Sequence, residues 1–196
     1  VEADWEFEIA ADAPVIDAAW PGFIDLRSEP ARAFQLPEAN QLACLPDVLL
    51  RLNASASPVW TAKCDVWEPA EFDPDELDAP KEAARAALAC YIDLLPVNEQ
   101  TWPTLDSIGD WCRCLCGALR PIPLRQCRAD LVIRPAFLTP NQTTLGVTAY
   151  VIGCGLTASD SRAVLAKALR VFSDALRVVE TPAVSRQKLQ WKHTGE

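Results

Sequence analysis

Eight side chains capable of binding chemistry fall at alternating positions of segments that read as strands. On 59–67, Thr61, Lys63, Asp65 and Trp67 share one side, and Trp60, Ala62, Cys64 and Val66 take the other. On 128–137, Arg128, Asp130, Val132 and Arg134 oppose Ala129, Leu131, Ile133 and Phe137. Tyr150 shares a side of its own segment with Thr148, and Asp25 and Asp93 occupy matching mid-strand places. If these strands build one sheet, its second face gathers Asp25, Lys63, Asp65, Asp93, Arg128, Asp130, Arg134 and Tyr150.

Carboxylates interleaved with Lys and Arg suit a small anionic or zwitterionic ligand, because guanidinium and ammonium groups bind carboxylate or phosphate by charge-assisted hydrogen bonds. The same set suits a hydrolase or transferase that holds Mg²⁺ with Asp25, Asp65, Asp93 and Asp130 beside a phosphate, with Lys63 and Arg134 stabilising negative charge. The plainer reading is a solvated face whose cross-strand ion pairs contribute about 1 kcal/mol or less each. The leading expectation is a non-catalytic binding or assembly protein that presents this face to a small anion or a protein partner. No catalytic residue, metal ligand or cofactor is assigned.

Other chemistry-bearing residues point elsewhere. The one histidine, His193, lies three residues from the end of the sequence, a poor place for an imidazole that must be held against a nucleophile. Cys112-Arg-Cys-Leu-Cys116 has the look of a thiolate metal site. On a helix, however, Cys112 and Cys116 join the apolar stripe while Cys114 points away, so packing is the expectation. Asp73, Asp75, Glu76 and Asp78 lack the loop length, central Gly and distal Glu of an EF-hand, and Asp78 is expected to cap a following helix. Asn53 and Asn141 head glycosylation sequons that are read as chance.

Charge is unevenly spread. Residues 1–80 carry 17 acidic and four basic side chains, and residues 81–196 carry 10 and 14. The basic cluster Arg113, Arg120, Arg125, Arg128 and Arg134 is expected to dock against the acidic half, within one chain or between two. The net charge of −9 argues against a nucleic-acid partner, since a polyanion is repelled before docking. No apolar run reaches the ~18 residues of a membrane span. The acidic start Val1-Glu2-Ala3-Asp4 is the reverse of a secretory leader's, and eight cysteines without disulfide-framework spacing suggest reduced thiols in the cytoplasm.

The elements that must position these residues follow from periodicity. Strands are expected at 5–9, 20–26, 59–67 and 91–95, and a hairpin is expected from 128–137 and 145–154. Helices are expected at 37–52 with a break at Pro46, from Pro80 to Ala89, at 105–119 capped by Thr104, and at 160–179 capped by Ser159 or Thr157. This order predicts an α+β fold with a mixed or mostly antiparallel sheet and helices mainly on one face. Residues 1–180 read as one domain, or as two related α/β halves divided near residue 80, followed by a loosely held polar tail at 181–196. The echo of Phe23-Ile-Asp-Leu, Tyr91-Ile-Asp-Leu and Ala129-Asp-Leu-Val supports the related halves. An open face and opposite-sign halves predict a homodimer.

Overall fold

The computed structural model describes residues 1–98, 100–139 and 141–179; His193 and the 181–196 tail lie outside them. The protein is α+β, with a mixed six-stranded sheet. β1 (Glu2–Phe7) and β2 (Ile16–Asp17) lie parallel along β5 (Cys127–Thr139). β5 pairs antiparallel with β6 (Gln142–Gly155), β6 with β4 (Ala86–Pro96), and β4 with β3 (Val59–Trp67). The order β1-β5-β6-β4-β3 draws strands from residues 1–80 and from residues 81–179 into one sheet.

One face of the sheet is covered by α2 (Leu45–Leu52), α3 (Leu105–Leu119) and α4 (Ala158–Val178). Their apolar stripes follow the expected 3.6-residue period. Ile108, Trp111, Cys112, Leu115, Cys116 and Leu119 of α3 are buried, as are Leu165, Leu169, Phe172 and Leu176 of α4. They pack on Leu88, Cys90, Ile92 and Leu94 of β4 and on Ala129, Leu131 and Ile133 of β5. Both long helices open with a capping box. The Thr104 hydroxyl accepts from the Ser107 N–H (3.1 Å), and the Thr157 hydroxyl accepts from the Asp160 N–H (3.1 Å).

At the end of β6, two glycines let α4 approach. A Cβ on Gly153 would meet the Leu165 backbone nitrogen at 2.6 Å, and one on Gly155 would meet the Asp160 Cβ at 2.5 Å. Neither position accepts a side chain without moving the helix.

Three expectations are corrected. The stretch from Pro80 to Ala89 is not a helix: a single 3-10 turn, Lys81–Ala83, leads straight into β4 at Ala86. Its alanines pack a central strand covered on both faces, where small side chains fit and burial overrides helix propensity. Asp78 therefore caps no helix; it adopts a left-handed conformation (φ 50°) and pairs with Arg125 at 3.1 Å. The segment 20–26 is turn and irregular chain, and the strand in that region is β2 instead. The helix expected at 37–52 is two, α1 (Pro37–Gln41) and α2. The break falls at 42–44, so Pro46 sits in the first turn of α2, where its missing N–H costs nothing.

Candidate functional site

The face opposite the helices is closed at both ends and polar in the middle. At one end Ile16, Ala18, Trp60, Leu95 and Ala136 cluster with Phe23. At the other, Leu77, Ala79, Ala84, Ala87 and Cys154 cluster with Phe72 and Ile152. Between these apolar patches the strand register lines up polar rows. Lys63, Asp93, Thr148 and Val132 form one row across β3, β4, β6 and β5; Asp65, Tyr91, Tyr150 and Asp130 form the next. β1 adds Asp4 opposite Asp130 and Glu6 opposite Val132.

Arg134 is the hub of this strip. Its Nε donates to Glu8 Oε2 (2.7 Å), and its Nη1 donates to the Thr148 hydroxyl (3.1 Å) and to the Tyr150 hydroxyl (2.9 Å). The Thr148 hydroxyl donates in turn to Asp93 Oδ1 (2.6 Å). A continuous chain thus runs Glu8–Arg134–Thr148–Asp93, from just past the end of β1 across β5, β6 and β4. Burial raises the Asp93 pKa above the usual carboxylate range, partly offset by the Thr148 hydrogen bond and the positive charges of Arg134 and Lys63. Burial, with the nearby charges of Asp93 and Asp65, also pushes the Tyr91 phenol up to about 12.

Two adjoining cavities open on this strip. One, of about 360 Å³, lies beneath the Pro14–Asp17 segment and Trp20, and is floored by Lys63, Tyr91, Asp93, Arg134, Thr148 and Tyr150. The other, of about 490 Å³, runs along β1 and is lined by Asp4, Glu6, Glu8, Arg128, Asp130 and Arg134. In the second, each cation already has a carboxylate, since Arg128 Nε lies 2.8 Å from Asp130 and Arg134 holds Glu8. In the first, Lys63 is exposed and has no carboxylate within 4 Å among the described residues, although Asp93 lies across from it in the register. Its ammonium sits 5.5 Å above the Trp20 ring.

Of the residues expected on this face, Lys63, Asp93, Arg134 and Tyr150 come together in the first cavity, and Arg128, Asp130, Arg134 and Tyr150 in the second. Asp65 shares the face without lining either one. Its Oδ1 accepts the next backbone N–H, of Val66 (2.8 Å), on the outermost strand β3. Asp4 does the same for Trp5 on the opposite edge strand (2.9 Å), and such carboxylates discourage edge-to-edge pairing. Asp25 does not join the site. With no strand at 20–26, its carboxylate holds Arg27 at 2.8 Å in an exposed turn, and that hydrogen bond lowers its pKa. The four aspartates needed for a shared Mg²⁺ therefore do not converge. Among the described residues, no three His, Cys, Asp or Glu side chains are placed to hold a metal ion.

A bulge between Thr61 and Lys63 shifts the β3 register, so Trp60 falls on the open side and Cys64 and Val66 turn to the helices. Thr61 instead meets Asn53, whose buried Nδ2 donates to the Thr61 hydroxyl (2.7 Å) and to the Leu49 carbonyl (2.8 Å). That sequon asparagine is structural. Glu8, Tyr91 and Trp20 are site residues not singled out from sequence, and Thr148 enters there only as the same-side neighbour of Tyr150. Tyr91 was legible as the residue two before Asp93 on one strand. Glu8 depends on the parallel β1–β5 pairing, which no local pattern reveals.

The cysteines behave as core material. None of the eight is in a disulfide; Cys112 and Cys116 are buried, and Cys114 is exposed. Burial pushes the Cys116 thiol up to about 11 and raises Cys112 as well. Three of the five clustered arginines reach carboxylates of residues 1–80: Arg120 to Asp4 (3.7 Å), Arg125 to Asp78 (3.1 Å) and Arg134 to Glu8. Arg113 pairs locally with Asp110, as Arg128 does with Asp130. No helix among the described residues is long and apolar enough to cross a membrane. Comparison with protein-family models, with curated proteins and with solved structures gives no match.

Proposed function

We propose that this is a non-catalytic binding protein that takes a small organic anion at the Lys63 end of its open sheet face. One observation carries the reading: Lys63 is an exposed cation on a preformed cavity, with no carboxylate at ion-pair distance among the described residues. Arg134, fixed by three partners, and the hydroxyls of Thr148, Tyr91 and Tyr150 supply a rigid polar floor for orientation. The acidic side chains Asp4, Glu6 and Glu8 repel anions from the β1 side, which confines an anionic ligand to the Lys63 corner.

The test is a thermal-shift screen with small carboxylates, inorganic phosphate and Mg²⁺ as separate arms. The reading expects stabilisation by an organic anion without Mg²⁺, lost in Lys63→Gln and kept in Asp65→Asn. Stabilisation that requires Mg²⁺ and disappears in Asp65→Asn would overturn it in favour of metal-assisted chemistry.

Two further elements belong to the same proposal. Self-association through the open face is supported by its partly exposed aromatic strip Trp67, Tyr91 and Tyr150, and a clean monomer by light scattering at high concentration would contradict it. A reducing, cytoplasmic setting is supported by the eight free thiols.

A further inference from the structure

We infer that the anion bound at Lys63 is amphipathic: a carboxylate on an apolar body, which enters a third cavity behind Trp20. The inference rests on the reading of Lys63 given above and adds the chemical class of the ligand. This cavity, of about 340 Å³, lies between β3, α1 and the irregular segment after Trp20. Its walls include Ile24, Leu26, Leu36, Leu49, Ala62 and Cys64. Trp20 and Lys63 line both this cavity and the polar one, so the two chambers meet at that pair.

Two observations point to the same ligand. The walls are mainly aliphatic, in contrast to the charged lining of the two cavities already described. Burial, reinforced by the negative charges of Glu38, Asp65 and Asp93, pushes the Cys64 thiol up to about 12, so this wall stays neutral. A carboxylate seated at Lys63 leaves its apolar body to exchange water for the aliphatic walls.

Polarity is set by the two charged residues on the lining. Glu38 belongs to α1 and Lys63 to β3. A carboxylate is repelled by the first and attracted by the second, so the head faces Lys63. Gly22 permits the local fold: at φ +97° it takes a conformation most residues avoid, and a Cβ there would come within 3.0 Å of the Trp20 ring.

The experiment is a calorimetric titration of the full chain with hexanoate, octanoate and decanoate, with octylamine as the cationic control. The expected result is an affinity that rises about three- to fourfold per methylene, as apolar burial requires. Lys63→Gln should weaken octanoate about tenfold, and octylamine should not bind. Filling the chamber with Leu36→Trp, or with Ile24→Trp if the first fails to fold, should abolish the dependence on chain length. The inference is overturned if octanoate binds no better than hexanoate, if octylamine matches octanoate, or if both tryptophan variants leave octanoate binding unchanged. Failure of the underlying reading looks different: Lys63→Gln would then alter neither octanoate nor any short anion that stabilises the wild type.

Discussion

Tyr91 and Tyr150 stand directly opposite one another on the neighbouring central strands β4 and β6, with ring centroids 6.1 Å apart. Asp65 faces Tyr91 on one side and Asp130 faces Tyr150 on the other. The row therefore reads Asp-Tyr-Tyr-Asp across four strands, and each aspartate is preceded two residues earlier by a cation, Lys63 or Arg128. The two cations differ in one respect that matters. Arg128 is held by its own Asp130, and Lys63 has no such partner among the described residues. The proposed binding site therefore lies at one end of an otherwise balanced row.

The Tyr91 phenol gives a titration signature. Its pKa is pushed up to about 12, above the ordinary value of about 10. An acid that holds its proton more tightly when folded destabilises the fold once pH exceeds the unfolded-state value. Stability should therefore be unaffected by this group below about pH 10 and should decline above it. The chain has two tyrosines, so phenolate absorbance can be followed residue by residue. Tyr91→Phe is expected to remove a step near pH 12; survival of that step would assign it elsewhere.

Asp93 predicts the opposite end of the scale. Its folded pKa is raised, chiefly by burial, so folding loses stability as pH climbs from below the ordinary carboxylate value through the raised one. Asp93→Asn keeps an acceptor for Thr148 and removes the charge. Chemical denaturation at neutral pH should find the variant at least as stable as wild type, with the difference vanishing in acid. A variant that is markedly less stable at neutral pH would mean that ionised Asp93 is held by more than the Thr148 hydrogen bond and the charges of Arg134 and Lys63.

Arg134 should be the most costly single loss on the polar face. Arg134→Ala leaves Glu8, Tyr150 and Thr148 without their shared donor, and hydrogen bonds to charged groups contribute about 1.5–3 kcal/mol. A loss of about 2–3 kcal/mol is expected. A double-mutant cycle with Glu8→Gln should show coupling, because the pair ties the chain just past β1 to β5. Additive effects would place the ion pair among the many exposed ones that contribute little.

Gly153 tests how α4 is seated. A methyl group there would press on the Leu165 backbone, so Gly153→Ala should cost about 1–3 kcal/mol by overpacking. Gly117, on α3, has open space around it. Gly117→Ala should be neutral or stabilising by up to about 1 kcal/mol, since alanine is the better helix former. Equal responses at the two sites would contradict the close β6–α4 approach.

The parts of the fold that could be read from sequence are those governed by local periodicity. The stripes of α3 and α4, the Thr104 cap and the β5–β6 hairpin each follow from spacing within one element, and of the two caps expected for α4, Ser159 or Thr157, the structure has Thr157. Ala86–Ala89 misled because alanine favours helix until burial in a central strand decides otherwise. Asp25 misled because Phe-Ile-Asp-Leu has strand composition but lies in a turn. On the polar face, alternation placed Lys63, Asp65, Arg128, Asp130, Arg134 and Tyr150 correctly on one side. It could not anticipate the bulge beside Ala62, which brings Trp60 to that side, or the parallel β1 pairing that brings Glu8 to Arg134.

The most direct measurement is backbone amide chemical-shift mapping of the isotope-labelled full chain on addition of octanoate. Perturbations are expected at 15–20, 61–64, 91–93 and 148–150 around the polar cavity and at 22–26, 36, 38 and 49 around the apolar one, and they should collapse in Lys63→Gln. Shifts centred on β1 or on the acidic 71–78 loop, or a Lys63→Gln spectrum that responds as wild type does, would contradict a binding site at Lys63.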